Sequence, residues 1–393
     1  MISELLYKKS IRVAVITDGI WPYVIGGMQR HSFYLVKYLA ASGIEVDLYH
    51  TNKSHKELSL LEEFSEDEKK NIRSIEIQFP NYGSAPGHYI RESFEYAKRI
   101  FIEFSKQRSP DFIYIKGFAG WELLNQKSKG CVFPPIGINF HGYEMFQKQA
   151  SLKSWFQSKL LFRSPVLFNL KHTDFVFSYG GKITEIISRL GVPKNKIIEI
   201  PTGISFDWIN DNTSFTSETT KFVFVGRYER RKGIEELTAV LKRILLRNKN
   251  FEFHFVGEIP VSKRFSSSQI IYHGLINDSY QLQNLLRTMD ILVCPSFAEG
   301  MPNVILEAMA SGLAVIATDT GATSVLVSNS NGWLIQPGDK IGLQNIIEDV
   351  ILMDKKKLDN FKNESVNLTK KNFLWDQIVK QTIDTIKSKL NKF

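Results

Sequence analysis

The sequence lacks the raw material of several protein classes. Two cysteines, Cys131 and Cys294, stand far apart in 393 residues, which excludes a disulfide-stapled secreted scaffold. No uncharged apolar run approaches the roughly 18 residues that cross a bilayer. The first ten residues carry Glu4, Lys8 and Lys9 and lack the apolar core of a signal peptide, so a cytoplasmic protein is expected. No D-x-D with both aspartates occurs. Helix-turn-helix, zinc-finger and RNP patterns are missing, as is any short-period repeat. Nucleic acid is therefore not expected as a partner, although the formal net charge of +9 favours anionic partners of some kind.

What is present is a regular alternation of strand and helix signals. The length, with 43% hydrophobic residues, suits two domains rather than one core. Residues Ile11 to Thr17 form a short, β-branched, apolar run of the kind buried in a parallel sheet. Gly26-Gly27 follows, then a helical pattern from His31 to Ser42 with Gly43 as a stop, then a strand over Glu45 to Tyr49. That is one βαβ unit. Further strands are predicted over Ile75–Phe79, Phe112–Ile115, Ile136–Phe140, Phe175–Ser178 and Ile197–Ile200. Beyond Pro201-Thr202-Gly203-Ile204, a Ser-, Thr- and Asn-rich stretch from Asn210 to Thr220 marks a boundary. The alternation then restarts with Phe222–Val225, a helical pattern over Gly233–Arg247, and a strand over Phe251–Val256. Strands over Asp290–Cys294 and Ala314–Thr318 flank a helix at Pro302–Ser311.

The predicted class is α/β, with two facing doubly wound Rossmann-like domains at 1–204 and 205–372. An amphipathic helix over 373–393 is expected to pack back on the first domain. Ligands of such sheets bind outside the carboxyl ends of the strands, so an interdomain cleft is the expected site.

Four constellations fall at strand ends. The first is Glu299-Gly-Met-Pro-Asn-Val-Ile-Leu-Glu307. Pro302 suits a first helical position, and Gly312 suits a stop. Eight positions at about 100° bring Glu307 to within about 80° of Glu299, so both carboxylates are expected to face one ligand. Carboxylates accept hydrogen bonds from hydroxyls, which suits sugars. The helix start offers free N–H groups to a phosphate. The second is Gly226-Arg227 through Lys232-Gly233. Arg227 and Lys232 can converge on one anion, although the same run also suits a solvated charged loop. The third, Gly26-Gly27, lets backbone approach a phosphate closely or simply makes a tight turn. The fourth is His141-Gly142-Tyr143-Glu144 after a strand, where His141 is either structural or a ligand to something in the cleft.

Together these features resemble glycosyltransferase family 4 (group 1), of the B-type two-domain fold. The likeness is densest where Gly226-Arg227, Lys232-Gly233 and Glu299 through Ala310 stand in order and spacing. The resemblance implies a retaining, metal-independent hexosyltransferase acting on a nucleotide diphosphate-sugar, with no cofactor. It implies a glycan or lipid-linked acceptor in cell-surface polysaccharide or lipopolysaccharide synthesis. By the same resemblance, Arg227 and Lys232 hold the diphosphate and Glu299 faces the donor sugar, with His141 near that sugar. Glu307 holds the ribose hydroxyls. Gly26 and Gly27 close over the phosphates. Gly226, Gly300, Met301, Pro302, Asn303 and Val304 complete the donor site, and the backbone at Gly274 and Leu275 lies near the base. Thr202 and Ser205 depart from the family at the interdomain hinge. An epimerase, a phosphorylase or an inactive binding protein on the same fold are the alternatives.

One further segment stands out. Between Lys148 and Lys171 lie five basic residues (Lys148, Lys153, Lys159, Arg163, Lys171) and no acidic one. Leu152, Trp155, Phe156 and Leu160 follow helical spacing, and Pro165 is expected to end or kink the run. Such a helix suits either an anionic membrane surface or a core with a solvated basic edge.

Overall fold

The computed structural model describes residues 11–54, 56–83, 87–151, 158–211, 216–247 and 250–391. Among them, seven strands form the first sheet: β1 (Arg12–Ile16), β2 (Glu45–His50), β3 (Ile72–Glu76), β4 (Phe112–Lys116), β5 (Ile136–Asn139), β6 (Phe175–Ser178) and β7 (Ile197–Glu199). Six more form the second: β8 (Thr220–Val225), β9 (Phe251–Val256), β10 (Ile270–Gly274), β11 (Ile291–Cys294), β12 (Ala314–Thr318) and β13 (Gly332–Ile335). The spatial orders are 3-2-1-4-5-6-7 and 10-9-8-11-12-13, and the central pairings β1–β4 and β8–β11 are parallel. The chain therefore has the two doubly wound sheets expected of it.

The central strands are near-continuous apolar runs rather than alternating ones. β4, β5, β11 and β12 are buried at every residue, as strands covered by helices on both faces must be. In each sheet the strand order reverses beside the first strand, between β1 and β4 and between β8 and β11. Those are the crevices where the carboxyl ends leave room for a ligand.

Several boundaries differ from the sequence pattern. The first helix runs Gly27–Ala41, so Gly26-Gly27 is its start rather than a loop before it. The helix after β8 runs Ile234–Ile244. Pro302 is the residue before the helix Asn303–Ala310, held extended at ψ 114, and not its first turn. Pro165 does not end the run: a π-helical turn over Ser158–Phe162 passes directly into the helix Arg163–His172, and Pro165 sits in the first turn after that change.

The helix Trp375–Leu390 buries Trp375, Ile378, Val379 and Ile386 in the same apolar cluster as Val13, Val15, Phe33 and Val36, on the first sheet. The chain crosses between the domains twice, side by side. Ile204 pairs with Leu374, with Ile204 N–H donating to Phe373 O at 2.8 Å and Trp375 N–H to Ile204 O at 3.1 Å. No helix of the described residues is long and apolar enough to cross a membrane.

Candidate active site

A cavity of about 420 Å³ opens between the carboxyl ends of the two sheets. Its walls come from both domains: Gly26, Gly27, Met28, His141 and Glu144 on one side, and Gly226, Arg227, Arg231, Lys232 and residues 299–304 on the other. Two helix starts meet here, at Gly27 and at Asn303. Neither is capped by a side chain, so their first N–H groups are left for a ligand, and the helix dipoles favour a negative one.

Close backbone packing shapes the second-domain wall. Gly233 takes φ +71, and a Cβ there would lie 2.0 Å from Pro295 O; only glycine lets the basic loop lie against the end of β11. A Cβ on Gly300 would come within 2.5 Å of His141 O, so this glycine sets how closely the two domains approach.

Glu299 is buried beside two cations. Its Oε1 accepts from Lys232 Nζ at 2.7 Å, and Arg231 Nη1 lies 3.5 Å from Oε2. Burial pushes this carboxyl up, but Lys232 and Arg231 outweigh that and hold it below the usual carboxylate range. Arg231 also reaches Glu144 at 3.3 Å and donates to Ala298 O at 2.9 Å. Arg227 lies at the open edge, paired with Glu229 at 2.9 Å. Thus the cations gathered on the cavity are Arg227, Arg231 and Lys232. Sequence reasoning took the first and last and missed Arg231, because a charge run carries no sign of which members turn inward.

Glu299 and Glu307 do not share one cavity, although Asn303 lines both of the cavities they stand in. Glu307 lies in the smaller one, where its Oε1 accepts from Arg30 Nη1 of the first domain at 2.5 Å. Helical rotation does not apply across the pair, since Glu299 precedes the helix by four residues. Burial raises the Glu307 carboxyl, which Arg30 only partly offsets. Arg30 was not singled out from the sequence; its partner is 277 residues away. Gly274 and Leu275 are not brought to the cavity either. Gly274 O accepts from Gly257 N–H at 2.7 Å, and Leu275 is exposed at the sheet's edge.

His141 follows β5 with φ +63, and Tyr143 has φ +56. Two non-glycine residues in this sparsely populated region store strain of the kind held at functional sites. His141 N–H donates to Asn139 Oδ1 at 2.6 Å, and its Nδ1 lies 2.8 Å from Tyr179 Oη.

Of the basic segment, residues 152–157 lie outside the described ones. Lys148 Nζ donates to Pro337 O at 2.6 Å across the domain boundary, and Arg163 donates to Met145 O at 3.1 Å. Both are engaged in the protein's own contacts. Leu160 and Leu167 are exposed.

The profile described as Glycosyltransferase Family 4 matches residues 25–208, and that described as Glycosyl transferases group 1 matches residues 219–352. TuaC of Bacillus subtilis, assigned as a teichuronic acid biosynthesis glycosyltransferase, is 32% identical over 148 residues, covering 35% of this chain and 37% of TuaC. The phosphatidyl-myo-inositol mannosyltransferase of Mycolicibacterium smegmatis is 29% identical over 167 residues, or 39% of this chain and 43% of that enzyme. These matches thus span well under half of either relative's own length. Among solved structures, sucrose-phosphate synthase of Thermosynechococcus elongatus superposes with a TM-score of 0.76 at 19% identity, over 98% of this chain and 100% of that one; that likeness concerns the fold.

Proposed function

This chain belongs to the group 1 glycosyltransferases of family 4, and on that premise we propose that it moves a hexose from a nucleotide diphosphate-sugar to a hydroxyl of a glycan or lipid-linked acceptor. The transfer retains the anomeric configuration and needs no metal and no cofactor. It serves cell-surface polysaccharide or lipopolysaccharide synthesis from the cytoplasmic side. The observation that carries the reading is a cavity at both switch points, where Arg227, Arg231 and Lys232 stand opposite the uncapped helix start at Gly27.

The diphosphate lies against those three cations and the N–H groups at Gly27 and Asn303. As the bond from the anomeric carbon to the phosphate oxygen breaks, negative charge grows on the leaving group, and fixed cations there stabilise the transition state more than the ground state. Glu299 faces the sugar, whose ring turns cationic at that moment. The route is front-face attack rather than a carboxylate nucleophile, as the family resemblance implies. The acceptor oxygen bonds to the anomeric carbon on the face the phosphate leaves, and its proton passes to the departing phosphate oxygen. Glu307 takes the ribose hydroxyls in place of Arg30.

The test is a thermal shift with UDP, GDP, ADP and their sugars, since a ligand of the native state must raise the melting point by mass action. Donor hydrolysis is followed with and without EDTA. No shift with any nucleotide overturns the reading. Activity lost to EDTA and restored by Mg²⁺ overturns the metal-free part, and epimerised or phosphorolysed sugar favours the rival enzymes. Peripheral docking on an anionic membrane is supported only by Leu160 and Leu167, exposed on a segment without acidic residues. Salt-sensitive sedimentation with anionic but not neutral vesicles is its expected result; equal binding, or none, excludes it.

A further inference from the structure

Behind the first-domain wall lies a buried polar cluster that the transfer mechanism does not use. Lys116, the last residue of β4, is fully buried. Among the described residues no carboxylate lies within 4 Å of its nitrogen. Instead Nζ is 3.2 Å from His31 Nδ1 and 3.3 Å from Tyr179 Oη. Tyr179, just past the end of β6, is in turn 2.8 Å from Nδ1 of His141. Nε2 of His141 faces Gly27, 3.6 Å from where a Cβ would stand. Three strand ends and one helix thus supply a chain of contacts running from a buried amine to the cavity.

With Lys116 charged, as it is below about pH 7, the donor and acceptor inventory gives this chain a direction. An ammonium has three donors and no acceptor. Tyr179 Oη and His31 Nδ1 therefore both accept from Lys116, and the single phenolic proton goes to Nδ1 of His141. Burial, reinforced by Lys116, lowers the His141 imidazole to about 3, so the ring is neutral and holds one proton. That proton must sit on Nε2, on the cavity side. Were Lys116 a neutral amine, it could accept from Tyr179, whose oxygen could then accept from a protonated Nδ1. The cavity-facing nitrogen would turn from donor to acceptor.

We propose that Lys116, acting through Tyr179, selects the tautomer of His141, so that Nε2–H is offered to a hydroxyl or phosphate oxygen of the donor. Lys116 and Tyr179 are positioning residues; His141 makes the contact. The part played toward the donor rests on the function proposed above, whereas the tautomer is a property of the free protein. The groups facing Lys116 are His31 on the helix Gly27–Ala41, Asp18 after β1, His141 after β5 and Tyr179 after β6. His31 is held neutral by burial. Asp18 is pushed up to about 6 by burial, against the hydrogen bond from Gln29.

The experiment is ¹⁵N NMR of the full chain labelled at histidine, at pH 6 and without ligand, with the His141 signals identified by their loss in His141→Gln. Wild type should show Nε2 protonated and Nδ1 bare. Tyr179→Phe, which removes one oxygen, and Lys116→Met should each move the ring toward the Nδ1–H form or an even mixture. In a transferase assay Tyr179→Phe should lower kcat/KM for the donor about fivefold to tenfold, the size of one hydrogen bond. A wild-type ring protonated on Nδ1, or one unchanged in both folded variants, overturns the proposal. A tautomer shift in a protein that transfers no sugar upholds this inference and overturns the functional reading instead.

Discussion

At the residue scale, the duties proposed for Glu299 and Glu307 are separable. Glu307 is expected to hold hydroxyls whose charge does not change during reaction, so its loss weakens ground and transition states alike. Glu307→Ala should raise the donor KM about a hundredfold, the value of two hydrogen bonds to a charged acceptor, with kcat little changed. Glu299 is fixed by Lys232 at 2.7 Å and is proposed to face the reacting carbon. Glu299→Gln should lower kcat about a hundredfold and leave nucleotide affinity nearly intact, because Lys232 keeps an amide oxygen to bind. Steady-state kinetics on folded variants decide it: wild-type kcat in Glu299→Gln would exclude the assignment. Lys116 gives a prediction of a different kind. Burial lowers its amine from 10.5 to about 7, so the folded protein holds the charge at a cost. That cost is fully present below pH 7, shrinks by about 1.4 kcal/mol per pH unit above it, and is gone above about pH 10.5. Lys116→Met should therefore raise the melting point by a few degrees near pH 7, with the gain fading as pH rises toward 10. A gain independent of pH would show that the amine is not strained by its burial.

At the element scale, the glycine before the helix Ile234–Ile244 does two jobs, taking φ +71 and clearing Pro295 O. Gly233→Ala should destabilise the second domain by about 1–3 kcal/mol, with a lower melting point and a displaced Lys232. Unchanged stability and activity would mean that the loop has room the geometry denies it. The same loop illustrates what a sequence can disclose. β1, β4 and β11 were legible because strands buried on both faces read as unbroken apolar runs. β10 and β13 were not: both are edge strands of the second sheet, the exposed His273 breaks the run in β10, and β13 is only four residues long. At the site, Glu299 and Lys232 declare themselves by following strands. Arg30, His31, Lys116 and Tyr179 do not, because each takes its meaning from a partner on another element, up to 277 residues distant.

At the scale of the whole molecule, the two domains are joined by side-by-side backbone crossings near Ile204 and Leu374 and by polar bridges over the cleft. Lys182 pairs with Asp319 at 2.7 Å, Gln147 Nε2 donates to Glu299 O at 2.6 Å, and Arg30 pairs with Glu307. The first is part-exposed and contributes little. The last sets one carboxylate in competition. Arg30 holds the oxygen that the ribose is proposed to take, so a nucleotide must displace it, and the energy of the ion pair is subtracted from binding. Arg30→Ala removes the rival. It should tighten UDP, GDP or ADP binding several-fold by calorimetry. It should also loosen the empty protein, seen as a larger radius of gyration in solution scattering, since one of its bridges is gone. If Arg30→Ala instead weakens the nucleotide by tenfold or more, then Arg30 belongs to the nucleotide site, turning from Glu307 to the diphosphate when the donor enters.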